Sequence, residues 1–269
     1  MKTIGMIIPT ADNTFFANLA VEVEKAMSDK GYQTLIASSA NDAEKEKEYL
    51  KSLAQTDGII CVSGLSVLPE DLLPENFPLI WVDRVPGSER EIPWVANDDE
   101  KAMEEAAKYL IEKGCRNIVL APGFIAEHQD NPRVKGYRKA PENHGIEYRN
   151  DFILNRKGEK SSEKETEELV QELMHKGYKV DGIITSSDRA AFGAIEALKK
   201  VGYYVPEDVR LISFDNSPYT AMSSITAIDR NAKAIAEKAC EVLTDLIQNK
   251  TVKKENTINV SLVERESTR

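Results

Sequence analysis

Apolar and polar positions along the chain follow two alternating periods. Short runs of consecutive apolar residues predict strands near 3–8, 33–38, 58–62, 79–82, 93–96, 117–121, 151–154, 181–186 and 209–214. Between them, apolar residues recur every three or four positions, the mark of amphipathic helices. Strands that are apolar on both faces, separated by helices, predict parallel sheets covered on both sides. Several helices close on Lys followed by Gly, at Lys30-Gly31, Lys113-Gly114 and Lys176-Gly177. There the cation faces the negative helix end and Gly takes the left-handed cap. Asn131-Pro132 reads as a helix start, with Asn accepting the free N–H groups and Pro pre-set for the first turn. Towards the end, Ser224 to Asp229 predicts a short strand, Asn231 to Asn249 a long helix, and Thr257 to Val263 a final strand. The polar tail Glu264 to Arg269 is expected to fray.

Two segments nearly coincide. Asp57-Gly58-Ile59-Ile60 and Asp181-Gly182-Ile183-Ile184 each lead a helical stretch into an apolar strand, so one βα plan is used twice. Two copies place a cleft between lobes, and a chain of 269 residues is long enough for two medium domains.

Composition narrows the class. Hydrophobic content of 41% with 30% charged residues is that of a soluble globular protein, and no apolar run approaches the ~20 residues of a membrane helix. The three cysteines, Cys61, Cys115 and Cys240, have no CxxC spacing and are expected to be reduced and packed. A net charge of −10 argues against direct contact with nucleic-acid phosphates. Glu44 to Glu48 and Glu163 to Glu168 read as solvated helix faces.

The chemical inventory is that of a binding protein. There is no GxSxG, GxGxxG or GxxxxGK[ST] motif, and His128, His144 and His175 lack metal-ligand spacing, so neither a cofactor nor a metal is expected. His144 and His175 read as surface helix residues, and His128 as part of a polar loop, Glu127 to Asp130. The suggestive residues follow strands, where open α/β sheets bind ligands. After the first strand, Asn13 could hydrogen-bond a hydroxyl, while one of Phe15 and Phe16 packs inward and the other offers a flat wall to a sugar ring. Asp83-Arg84 ends an apolar run and could hold two hydroxyls, or simply form a salt bridge. In the second half come Arg133 at a helix start, Ser187-Asp188 and Asp215. Asp188 is read as a helix cap, and Ser187 and Asp215 as ligand contacts.

Taken together, these motifs resemble the lactose/galactose repressor family, whose fold is shared with periplasmic sugar-binding proteins. The resemblance rests on Ile4 to Pro9 with Asn13 to Phe16, on Asp57 to Ile60, on Val82-Asp83-Arg84, on Arg133 to Arg138, and on Val205 to Val209 leading to Phe214 to Pro218. The closing Val263 to Arg269 is also typical of the repressor branch. It implies an α/β protein of two Rossmann-like lobes with parallel sheets, a type I periplasmic binding protein-like fold. Three crossovers fall near 96–98, 228–231 and 257–260. They divide the chain into 1–96 plus 230–258 and 97–229 plus 259–269. It also implies a small-molecule effector in the interlobe cleft, a homodimer, a cytoplasmic setting, and operator DNA reached only through a helix-turn-helix headpiece. That headpiece is expected to be missing here, since the first strand begins at Thr3. Departures from the pattern include Ser187 where Asn is frequent and Arg230 where Gln is common. The added cation admits an acidic or phosphorylated sugar.

A transport binding protein of the same fold is the rival reading, and a cleft enzyme using Asp83 or Asp215 as base is a second one. The charge and the missing headpiece predict no sub-micromolar, sequence-selective binding to duplex DNA at physiological salt. A fluorescence anisotropy titration checks this, and selective binding would contradict it.

Overall fold

The computed structural model describes residues 2–121, 131–147, 149–158 and 160–269, so His128 lies outside the described residues. The order of elements is β1 (Lys2–Ile8), α1 (Thr14–Ser28), β2 (Tyr32–Ser38), α2 (Ala43–Leu53), β3 (Gly58–Cys61), β4 (Leu79–Val82) and β5 (Trp94–Asn97). Then come α3 (Asp99–Glu112), β6 (Ile118–Ala121), α4 (Pro132–Asn143), α5 (Ser162–His175), β7 (Gly182–Thr185) and α6 (Asp188–Lys200). β8 (Arg210–Phe214), α7 (Pro218–Met222), β9 (Thr226–Asp229), α8 (Ala232–Ile247), β10 (Glu255–Ile258) and β11 (Ser261–Val263) complete the chain.

The chain divides into two compact units, Met1–Asn97 with Asn231–Asn259 and Asp98–Arg230 with Val260–Arg269. The first holds a six-stranded, wholly parallel sheet in the order β10-β5-β4-β3-β1-β2. One face packs α1 and α8 through Leu19, Val23, Ile235 and Leu243, and the other packs α2 through Leu50 and Leu53. The second unit holds β11-β9-β8-β7-β6, in which only β11 runs antiparallel. Its faces are covered by α3 with α4 and by α5 with α6.

The sequence repeat has a physical cause. Asp57 Oδ2 accepts the Thr3 N–H at 2.7 Å while the Asp57 N–H donates to the Thr3 carbonyl. Asp181 Oδ1 likewise accepts the Arg116 and Asn117 N–H groups at 2.9 and 2.8 Å, and its own N–H donates to the Asn117 carbonyl. Each Asp thus clasps the amino end of the neighbouring strand. The Gly after it lets another element approach: a Cβ on Gly58 would stand 2.9 Å from the Leu243 side chain, and one on Gly182 3.1 Å from that of Ile118.

Several expectations are corrected. Residues 151–154 form no strand: Asn150–Phe152 is a 3-10 turn, and Ile153 makes one isolated bridge to Leu120. The apolar residues enter the core singly, Phe152 and Leu154 from a turn that Asn150 and Asp151 favour. The stretch 257–263 is two strands, not one, because the chain changes unit between Asn259 and Val260, and β11 pairs antiparallel with β9. The tail is anchored. Ser267 donates to the Leu211 carbonyl at 2.6 Å and accepts the Thr226 N–H at 2.8 Å, and Thr268 is fully buried against Thr226 Oγ1.

Two acidic runs are only partly solvated. Glu46 is fully buried and accepts from the Ser63 hydroxyl and the Gly64 N–H, fastening the turn after β3. Glu165 is buried against Arg156 Nε at 2.6 Å, and Glu167 pairs with Lys164 and Lys200. A buried carboxylate needs such partners, which a helical charge pattern alone does not reveal. The three cysteines are free and buried, and His144 and His175 are exposed.

The tightest helix pairing is set by glycine. A Cβ on Gly136 would drive into the Glu100 carbonyl of α3, and one on Gly193 into the Glu163 carbonyl of α5. Gly136→Ala is therefore expected to lower unfolding free energy by about 3 kcal/mol, as overpacking forces α3 and α4 apart. Denaturant unfolding measures this, and a change within about 0.5 kcal/mol would show that the contact yields at little cost.

Candidate functional site

In a parallel sheet all carboxyl ends share one edge, and the loops leaving that edge carry the groups free of ladder pairing. In the first unit the loop after β1 ends at Asn13. Its Oδ1 accepts the Phe15 and Phe16 N–H groups at 2.9 and 3.4 Å, so it caps α1. Phe15 and Phe16 are both buried, their rings 5.4 Å apart and edge-on, so neither is the open wall that the sequence suggested. Both pack because helix entry turns the pair into the core beneath the sheet edge. The Arg84 guanidinium stands 5.6 Å from the Phe16 ring centre.

Asp83 leaves β4 with φ +67°, and the Arg84 N–H closes a tight turn onto the Val82 carbonyl at 2.7 Å. A non-glycine residue in this region is strained, and such strain concentrates at ligand clamps. Asp83 Oδ2 and Arg84 Nε are 4.0 Å apart, at the outer limit of an ion pair.

The second unit builds a denser group. Asn131 caps α4 and Pro132 opens it, which fixes Arg133 in the first turn. Arg133 Nε donates to Asp99 Oδ2 at 2.8 Å, Nη1 donates to the Ser186 carbonyl at 3.2 Å, and the guanidinium lies 3.9 Å over the Phe214 ring. The cap expected of Asp188 falls to Ser187. Ser187 has extended backbone and accepts the Ala190 N–H, so it caps α6, while Asp188 is the first helical residue and is buried. The cap goes to Ser187 because it alone of the two leaves the helical conformation.

Asp215 follows β8 with φ +71°, the counterpart of Asp83 in the first unit. It is buried, and Arg230 Nη1, also buried, lies 3.5 Å from its Oδ1. Burial pushes the Asp215 carboxyl up to about 7, against the pull of Arg133, while Asp188 and Asp99 add to the rise. Burial alone moves Arg230 down to about 9. The cations that seemed to invite an acidic sugar thus already face carboxylates.

The structure therefore groups Asn13, Phe15, Phe16, Asp83 and Arg84 in one unit, and Arg133, Ser187, Asp215 and Arg230 in the other. Sequence reasoning missed Asp99 and Ser186. Asp99 sits in the first turn of α3, where an acid is explained by the helix dipole, and nothing in the spacing ties it to Arg133. Among the described residues, no group of three or more His, Cys, Asp or Glu side chains could hold a metal ion. No helix among them is long and apolar enough to cross a membrane.

Two predictions follow from this geometry. Arg133→Ala removes the partner of a largely buried carboxylate, so it should destabilise the second unit by about 2 kcal/mol, and fold stability should not be spared as a purely ligand-facing role would allow. Thermal unfolding decides between the two. Asp215 binds a proton in the folded state that the unfolded chain has released, so its contribution to stability is present below about pH 4 and is lost as pH rises through about 7. Relative to Asp215→Asn, stability should fall by about 1.4 kcal/mol per pH unit across that window. Parallel pH curves for the two proteins would contradict the assignment.

Residues 107–268 match the periplasmic binding protein-like domain family. The ribose operon repressor of Halalkalibacterium halodurans is 29% identical over 99% of this chain and 79% of its own length. The HTH-type transcriptional repressor PurR of Yersinia pestis bv. Antiqua is 30% identical over 99% of this chain and 80% of its own length. The periplasmic binding protein/LacI transcriptional regulator of Alkaliphilus metalliredigens, solved with D-xylulofuranose, superposes with a TM-score of 0.86 at 28% identity over 100% of both chains. With both sheets, the matched family and repressor relatives over almost its whole length, the chain belongs to the LacI family of transcriptional regulators and carries its effector-binding domain.

Proposed function

We propose that the chain senses a sugar or sugar derivative held at the carboxyl edges of its two sheets, and that it acts without catalysis in the cytoplasm. The observation that carries this reading is the polar group of Arg133, Asp99, Asp215 and Arg230, of which Asp215 and Arg230 are buried, at the edge where α/β sheets take ligands. In the first unit Asp83, Arg84 and the Asn13 turn stand at the carboxyl edge of its own sheet. The related regulator solved with D-xylulofuranose supports a sugar in particular. The relatives are named as repressors, which favours binding over turnover. A net charge of −10 argues against direct phosphate contact by this chain.

A thermal-shift series with D-ribose, D-xylulose, D-glucose and their phosphates tests the reading. A binding sugar at a hundred times its Kd should add about 2.7 kcal/mol of stability, several degrees in Tm. No shift with any of them would remove the sugar reading.

The protein is further read as a homodimer. The apolar stretch Leu65 to Pro69 with Leu72 and Leu73 is a candidate for part of the interface; Leu68, Leu72 and Leu73 are buried within the first unit, while Val67 is exposed. Further exposed apolar side chains include Leu35 and Ile36 on edge strand β2, and Tyr219 and Met222 on α7, the last 85% exposed. An uncovered edge strand with apolar side chains favours a second copy as its cover. Light scattering should give twice the 30.0 kDa chain mass, and Ile36→Glu with Met222→Glu should bring it down to one. A native monomer at micromolar concentration would overturn the dimer.

A further inference from the structure

The two residues that hold Arg133 each leave one oxygen unused. Asp99 gives Oδ2 to Arg133 Nε, and its Oδ1 is buried with no hydrogen-bond partner. Ser186 gives its backbone carbonyl to Arg133 Nη1, and its buried Oγ also has no partner. Buried polar atoms are nearly always paired, because each one left bare forfeits its hydration with nothing in return. Two bare oxygens flanking one guanidinium, at the edge of a sheet that binds ligands there, call for hydrogen-bonding groups supplied from outside the chain.

Charge narrows what those groups belong to. Asp99 and Asp188 both act on Asp215 electrostatically, as does Arg133, and Arg230 stands beside Asp215, so the two guanidiniums already sit among three acidic residues. Arg133 is already engaged by Asp99, and a phosphate or carboxylate placed near it would meet the bare Asp99 oxygen at close range. A hydroxyl suits both oxygens, since it donates to the carboxylate and either donates to or accepts from the serine.

Resting on the reading of this edge as a sugar site, we infer that Asp99 and Ser186 are specificity-determining residues that bind two hydroxyls of an uncharged polyhydroxy effector and reject its phosphorylated form. Asp99 Oδ1 receives one hydroxyl hydrogen, and Ser186 Oγ pairs with another hydroxyl. Arg133 is held between them and completes the recognition of the same face of the ligand. A buried donor or acceptor deprived of its partner hydroxyl typically loses about tenfold in affinity.

Calorimetry on the intact chain tests this with D-ribose, D-xylulose and D-glucose, their terminal monophosphates, and the monodeoxy analogues of whichever sugar binds. The wild-type chain should bind the sugar at least tenfold more tightly than its phosphate, and loss of a hydroxyl should cost about tenfold at two ring positions. Ser186→Ala should abolish the penalty at one of these positions. Asp99→Asn, which keeps a carbonyl for Arg133 Nε, should abolish it at the other and narrow the gap to the phosphate. A purely structural role would lower affinity for all analogues alike and leave the deoxy profile unchanged, which would overturn the inference, as would tighter binding of the phosphate by the wild-type chain. The wild-type comparison holds even if a variant fails to fold. A wild-type chain that binds none of the six compounds overturns the sugar reading and this inference together. Sugar binding with an unchanged deoxy profile overturns this inference alone.

Discussion

Every strand of the six-stranded sheet runs the same way, and so do four of the five strands in the second unit. Parallel strands bury both faces under helices and use their interior backbone groups in the ladder, so polar chemistry collects only where strands end. At those ends the chain departs from ordinary geometry in matching places. Asp83 after β4 and Asp215 after β8 both take positive φ, and each follows a largely buried strand that ends at the carboxyl edge. The repeated Asp-Gly at 57 and 181 works at the opposite edge, clasping the neighbouring strand and admitting close packing. One half of each repeat thus builds the sheet, and the other end is left to bind.

Burial of charge is the second constraint. Arg133, Asp215 and Arg230 are removed from water before any ligand arrives, and each is tolerated because an opposite charge stands beside it. Such burial costs stability, as the raised Asp215 carboxyl records. A site assembled this way is pre-set for its ligand, since side chains already held in place lose little freedom on binding.

The fold was legible in the sequence because it rests on periodicity and punctuation. Lys-Gly helix ends, the Asn131-Pro132 start and the apolar four-residue strands each act locally, and each forms as expected. Failures arose where one residue answers to distant partners. Glu46 sits in a run of alternating charges that reads as solvated, yet Ser63 and Gly64, from beyond the next strand, bury it. Residues 257–263 look like one strand because the change of unit at Asn259 leaves no mark on hydropathy. In the candidate site, types were easier to read than roles. Asn13 and Ser187 were singled out as ligand contacts, and both turn out to cap helices. Asp99 was passed over because its partnership with Arg133 spans 34 positions and follows no periodic rule.

The central claim is that an effector is taken at the carboxyl edge of a parallel sheet. Hydrogen exchange on the intact chain, with and without the sugar that raises its melting temperature, tests it most directly. The account predicts slowed exchange in the segments around Asp83 and Arg84 in the first unit and around Asp99, Arg133, Ser186 to Asp188 and Asp215 in the second. Protection centred at the opposite edge near Leu79 and Gly182, or none at all, would contradict it.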